Sequence, residues 1–74
     1  MGDAVVVDVH IDDRLIRVLL RDGRELSAPL ARFPRLLSAT AADRQDWRVL
    51  GDGEGIHWPA IDEDISVAGL LRAS

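Results

Sequence analysis

Two segments near the start of the chain alternate apolar and polar side chains with the two-residue period of a half-buried β-strand. The first, residues 5–11, places on one face Val5, Val7, Val9 and Ile11. The second, residues 15–21, places Ile16, Val18 and Leu20 on one side and Arg17 and Arg21 on the other. The polar residues 12–14 between them are typical of a tight turn, so the pattern predicts an antiparallel hairpin with one apolar face.

A third strand follows the turn that ends at Gly23. The loop length matters because a shift of one residue sends every side chain of a strand to the other face. A three-residue loop over 21–23, with a left-handed Gly23, places Val18 opposite Leu26, whereas a two-residue loop would pair apolar with charged side chains. The sequence therefore predicts a three-stranded antiparallel meander over about residues 4–28.

The second half of the chain carries shorter signals of both kinds. Thr40 and Ser66 are typical N-cap residues, and Leu70 and Leu71 are expected to point inward from the last helix. The predicted elements are helices at about 34–46 and 67–72 and two short strands at about 47–50 and 55–58. These elements predict an α+β fold in a single domain over residues 1–74.

The composition excludes several kinds of site. The 74 residues contain no cysteine, so disulfides, thiolate zinc sites and a cysteine nucleophile are ruled out. The sequence also has neither a phosphate-binding glycine loop nor a nucleophile elbow. We therefore expect no enzyme and no cofactor. Because a chain of this size buries only about 60% of its unfolded surface, a protein partner or a second copy is the remaining source of buried area.

The charge and hydropathy pattern bears on location and partners. Nine basic and 13 acidic residues give a net charge of −4, which disfavours nucleic acid as a partner. No apolar run exceeds four residues, so neither a signal peptide nor a membrane span is predicted. We expect a cytoplasmic protein that does not bind a membrane.

A histidine and two acidic residues suggest a metal or general-base site. His57 is followed by Asp62 and Asp64, and imidazole with carboxylates can bind a metal or move a proton. On a strand, however, His57 would point away from the face that holds Ile56 and Trp58, where a hydrogen-bonded surface histidine is common. We assign no metal site, and His57, Asp62 and Asp64 remain the candidates for the metal- or ligand-binding alternative.

Four arginines cluster on the second strand and its turns, namely Arg14, Arg17, Arg21 and Arg24. They could form a basic stripe for phosphates or an acidic partner. Pairing with Asp8, Asp12 and Glu25 is the simpler interpretation, since no aromatic residues are interleaved for base stacking. Arg17 and Arg21 are retained as candidate partner-binding residues.

The two tryptophans can bury the largest areas in this chain. Trp47 and Trp58 lie on neighbouring predicted strands. Core positions are expected for both, but in so small a domain one of them could instead anchor a partner. Both are therefore candidate partner-binding residues.

Four segments together resemble one bacterial family, catalogued as domain of unknown function twenty-four forty-two. They are RDGREL (21–26), PRLLSAT (34–40), GIHWP (55–59) and IDEDISV (61–67), followed by Leu70 and Leu71. The resemblance covers about residues 5–71, and Ala60 departs from it where members often carry Asp or Gly. It implies a small α+β domain with an antiparallel meander. It also implies a gene paired with that of another small protein, in an arrangement resembling toxin–antitoxin modules, and provides no catalytic residue.

We conclude from the sequence that a protein-interaction module is expected, as the antitoxin-like partner of such a pair. It would use a free sheet edge or an apolar patch centred on a tryptophan. The alternatives are a metal- or ligand-binding protein built on His57, Asp62 and Asp64, and an accessory to DNA-binding regulation that uses the arginine-bearing face.

Overall fold

The alternating segments form a three-stranded antiparallel sheet, which we call sheet A. The computed structural model describes residues 5–73, with side chains as far as Arg72. Sheet A consists of β1 (Val6–Ile11), β2 (Leu15–Leu20) and β3 (Glu25–Pro29), in that spatial order. The meander is thus confirmed, and its predicted first residue, 4, lies outside the described residues.

The register of sheet A follows the predicted loop length. Val18 lies opposite Leu26 and Ile16 lies opposite Ala28. The loop occupies residues 21–23, and Gly23 has a φ of 94°, a left-handed conformation that glycine adopts without steric cost. The β2 side chains Ile16, Val18 and Leu20 are buried as predicted.

The alternation predicted for β1 is wrong at its first residues. A β-bulge between Val6 and Asp8 inserts one extra residue opposite β2. Consequently Val6 is buried with Val9, and Val7 is 52% exposed although it was expected on the same face as Val9.

The second half of the chain forms a second antiparallel sheet, sheet B. Its strands are β4 (Arg48–Leu50), β5 (Gly55–Trp58) and β6 (Glu63–Ser66), in that order. The first two were predicted, but β6 was not, because a run of three acidic residues is atypical of a strand. The chain enters β6 through a 3₁₀ turn at Pro59–Ile61 and a left-handed Asp62, with a φ of 52°. Ile65 is the buried residue of β6.

The helical segment predicted at 34–46 forms two short helices, and the last two helices of the chain begin at the predicted caps. After a 3₁₀ turn come α1 (Pro34–Leu37) and α2 (Ala41–Gln45), and the chain ends in α3 (Val67–Ala73). Thr40 Oγ1 accepts the Asp43 N–H at 3.1 Å, and Ser66 Oγ accepts the Gly69 N–H at 2.9 Å. Leu70 is buried, whereas Leu71 is exposed, contrary to expectation.

The core lies between the inner faces of the two sheets and the helices. Within residues 5–72 it is built from thirteen buried apolar residues, among them Trp58, Ile16, Leu36 and Leu70. A main-chain hydrogen bond joins the two halves of the fold, since the Val6 N–H donates to the carbonyl of Gly53 in the β4–β5 loop at 2.9 Å. Among the described residues, no helix has the length and apolar character needed to cross a membrane.

Candidate functional site

His57, one of the three candidates for the metal-binding alternative, belongs to a cross-strand pair. His57 on β5 lies opposite Asp64 on β6, on the face of sheet B that points away from the core. His57 Nδ1 and Asp64 Oδ1 are 2.5 Å apart. The imidazole is partly buried while the carboxylate is exposed. The pair is therefore a surface hydrogen bond between neighbouring strands, as the simpler interpretation of the sequence expected.

Asp62 does not join this pair. It occupies the left-handed turn before β6, where its carbonyl accepts a hydrogen bond from Arg35 Nη1 at 2.6 Å. Within residues 5–73, no three side chains of His, Cys, Asp or Glu come together in a way that could hold a metal ion. The alternative of a metal site formed by His57, Asp62 and Asp64 together is thus wrong for the described chain.

The two tryptophans have different environments. Trp58 is 0% exposed, and its indole Nε1 donates to the Arg44 carbonyl at 3.0 Å. A fully buried side chain presents no surface, so Trp58 is wrong as a partner-binding candidate and belongs to the core. Trp47 is half-buried and packs against the core from the residue before β4. It stays a candidate contact.

Of the pairings that the sequence suggested for the arginines, the described part of the chain shows that of Arg17 with Asp12. Arg17 Nη2 lies 3.7 Å from Asp12 Oδ2, both exposed, and such a pair contributes little to stability. Asp8 pairs instead with His10, whose Nε2 is 3.1 Å from Asp8 Oδ2. Arg21 follows β2 directly and is exposed. No comparison or contact tests Arg17 and Arg21 as partner-binding residues, so that assignment stays a prediction.

Two aspartates in the turns of sheet A have perturbed acidity. Asp12 Oδ1 accepts the N–H groups of Leu15 and Arg14, and these bonds lower the pKa of Asp12 below its usual value because they favour the carboxylate. The Arg24 N–H and guanidinium lower the pKa of Asp22 in the same way. Both carboxylates fix turns, so their shifts have a structural cause.

One edge of sheet B exposes apolar side chains. We call the segment Trp47, Arg48, Val49 and Leu50 the β4 edge. All three residues of β4 are exposed, with Val49 at 42% and Leu50 at 37%. Val49 lies opposite the fully buried Ile56, so its side chain continues the core-facing row to the edge of the sheet. Leu50 points to the opposite face, so a chain that lies along the free edge of β4 can cover both side chains.

A groove separates β1 from α2. It has a volume of about 570 Å³, and β1 residues 9–11 form one wall while Ala41, Arg44 and Gln45 form the other. Arg44 holds this second wall in place, because Nε donates to the Leu36 carbonyl and Nη2 to the Leu37 carbonyl, each at 3.0 Å. This groove was not predicted from the sequence. The Thr40 cap predicted the helix, but no local signal predicts that the helix lies beside β1.

Acidic side chains protect two main-chain groups in the strands at sheet edges. The Val9 N–H on β1 donates to Asp8 Oδ1 at 2.8 Å, and the Asp64 N–H on β6 donates to Glu63 Oε1 at 3.2 Å. Because a side chain from the same strand occupies these donors, an incoming strand cannot pair with them directly.

Comparisons with known proteins support the fold without naming an activity. No curated protein matches the chain. A crystal structure of a protein of unknown function from Rhodospirillum rubrum is similar, with a TM-score of 0.76 and 26% sequence identity, over 92% of this chain and 84% of that one. The family described as "Protein of unknown function (DUF2442)" matches residues 6–74. The chain therefore belongs to the DUF2442 family.

Proposed function

We propose that this domain is a protein-interaction module that binds a different, basic protein through the β4 edge. The observation that carries the proposal is the exposure of Val49 and Leu50 on an edge strand. In this proposal the domain is the antitoxin-like member of a two-protein pair, the arrangement that the family resemblance implies.

Apolar burial would supply the affinity. Full burial of a Val or Leu side chain is worth roughly 1.5–3 kcal/mol, so covering the exposed part of Val49 and Leu50 contributes about 1 kcal/mol each. Trp47 adds a large, rigid side chain at the start of the same segment, and tryptophan is enriched among residues that dominate interface energetics. The edge also lets a partner strand pair with the main chain of β4.

The charge of the chain favours a different protein over a second copy. Two copies that associate would each bring a net charge of −4, and their mutual repulsion opposes the contact. A basic partner gains attraction from the same charge and associates faster. Arg48 lies 3.3 Å from Asp46, so the one cation of the β4 edge is already paired within the chain.

Native mass spectrometry of the protein captured from its own cells tests the proposal. We expect a stoichiometric complex with one basic protein, lost when Val49→Asp places a charge in the apolar edge. Leu37→Asp is the matched control, because Leu37 is 46% exposed and lies outside the β4 edge. Circular dichroism would establish that both variants fold. A complex that survives Val49→Asp, or a chain that carries no second protein, contradicts the proposal.

A further inference from the structure

We propose that the groove between β1 and α2 is a second binding site, which takes an uncharged, extended peptide segment as an added strand beside β1. The site rests on the proposed function in that it presupposes a protein ligand. It is distinct in place, because it lies on sheet A and the β4 edge lies on sheet B.

The main chain of Ile11 carries the argument. The Asp12 N–H donates to the Leu15 carbonyl across the β1–β2 turn. Hydrogen-bonded and non-hydrogen-bonded pairs alternate in an antiparallel ladder, so the next pair, Ile11 with Ile16, is not hydrogen-bonded. The N–H and C=O of Ile11 therefore point away from β2. None of the turn and cap hydrogen bonds of the described chain reaches them.

The same alternation gives the direction of the Val9 main chain, and with it the hydrogen-bonding groups that β1 offers to a ligand. Val9 lies opposite Val18, two residues from Ile11, and so also points its main chain outward. Its N–H donates to Asp8 Oδ1. Because the N–H and C=O of one residue point to the same side of a strand, its carbonyl also points away from β2, and Val9 lines the groove. An added strand can thus accept one hydrogen bond from Ile11 and donate to the carbonyls of Ile11 and Val9.

The size of the groove suits such a ligand. Its volume of about 570 Å³ lies within the range of typical ligand sites, roughly 300–1,000 Å³. Ile11 is half-buried beside the groove, and Ala41 on the opposite wall has a small side chain. An apolar residue opposite Ile11 would pack between these two walls.

The charges around the groove favour an uncharged ligand. Two acidic residues, Asp12 and Asp13, and two arginines, Arg17 and Arg44, line it. They pair with each other, Arg17 with Asp12 at 3.7 Å and Arg44 with Asp13 at 3.6 Å. The fifth ionisable residue, His10, pairs with Asp8. Formal charges cancel, so main-chain pairing and apolar contact remain as the source of affinity, and a phosphate or nucleic acid is not favoured.

Titration of the ¹⁵N-labelled full chain with a set of end-blocked, uncharged hexapeptides of alternating Val and Thr tests the site by NMR. We expect the Ile11 amide to shift and to become protected from hydrogen exchange, with little change when salt is raised, because paired surface charges contribute little to binding. Ala41→Trp, which fills the groove, should weaken binding by about tenfold or more, as expected when main-chain hydrogen bonds are lost.

Ala42→Trp is the matched control, since Ala42 is the next exposed residue of α2 and does not line the groove. It should change affinity by less than about twofold, a difference within the range of exposed surface substitutions. Equal peptide affinity in both tryptophan variants, or no change at the Ile11 amide with any peptide, would overturn the proposal that the groove binds a peptide. The Val49→Asp protein separates the two proposals, because peptides should still shift its Ile11 amide even though the partner complex is lost.

Discussion

Gly53 joins the two sheets at a point where no larger residue fits. Its φ is 98°, and its carbonyl accepts the Val6 N–H. A Cβ at this position would overlap Val5 Cγ1 and lie 3.2 Å from Val5 Cα. Alanine at a positive φ costs roughly 1–2 kcal/mol. The overlap adds roughly 1–3 kcal/mol, which is the usual cost of forcing extra volume into a packed site.

Gly23 is the matched control for this prediction. Its φ of 94° is nearly the same, but a Cβ there has no neighbouring atom within 4 Å. Gly23→Ala therefore introduces the backbone strain without the overlap. Both substitutions lower the conformational entropy of the unfolded chain by the same amount, so this effect cancels in the comparison. We expect Gly53→Ala to lower the free energy of unfolding by roughly 1–3 kcal/mol more than Gly23→Ala does. In a domain of this size each kcal/mol lowers the Tm by about 4–8 °C.

Thermal and urea unfolding followed by circular dichroism would measure this difference. Val5→Ala removes the overlapping methyl group, so the double variant Gly53→Ala with Val5→Ala should recover part of the loss as a favourable coupling energy. Equal destabilisation by Gly53→Ala and Gly23→Ala would refute the steric argument and leave backbone strain alone as the cause.

Substitutions at three further positions test other parts of the structure. Trp58→Phe should destabilise the domain by roughly 2–4 kcal/mol in urea unfolding, because it leaves a cavity and deprives the Arg44 carbonyl of its donor; a loss much smaller than that would contradict the burial of the indole. Asp12→Ala should reduce the Tm at neutral pH. Because the pKa of Asp12 is lower in the folded protein, the Asp12 carboxylate stabilises the fold fully above the unfolded pKa of 3.8. This stabilisation is lost as the pH falls through the folded pKa, so the Tm values of Asp12→Ala and the unsubstituted protein should converge in acid. A constant gap across that range would argue against the turn bonds. Asp62→Gly should raise the Tm slightly, since glycine adopts the left-handed conformation without strain, whereas Asp62→Val should lower it; equal effects of the two would exclude strain at this turn.

Local patterns in the sequence predicted sheet A well because its constraints are local. The alternation of β2 and the left-handed Gly23 together fix the register that places Val18 opposite Leu26. The caps at Thr40 and Ser66 are equally local, since each side chain bonds an N–H three residues away. These features depend on neighbours in sequence, so they can be recognised without knowledge of the fold.

The features that the sequence did not predict depend on distant parts of the chain. β6 is a strand because Ile65 pairs with Ile56 in a sheet that already exists, which outweighs the low strand propensity of its acidic residues. The bulge in β1 places Val6 in the core and its N–H against Gly53, 47 positions further along. Burial of Trp58 and the position of α2 beside β1 likewise arise from packing between elements.

Because the chain has no cysteine, no disulfide can link its elements. Arg44 links several of them through noncovalent bonds instead. One guanidinium binds two carbonyls at the end of α1 and an aspartate in the first turn of sheet A, while the carbonyl of the same residue holds the Trp58 indole. α1, α2 and the tryptophan are therefore coupled, so that release of α2 from the body of the domain breaks all these bonds together. Hydrogen exchange should report them as a single cooperative unit, and tryptophan emission would follow its opening.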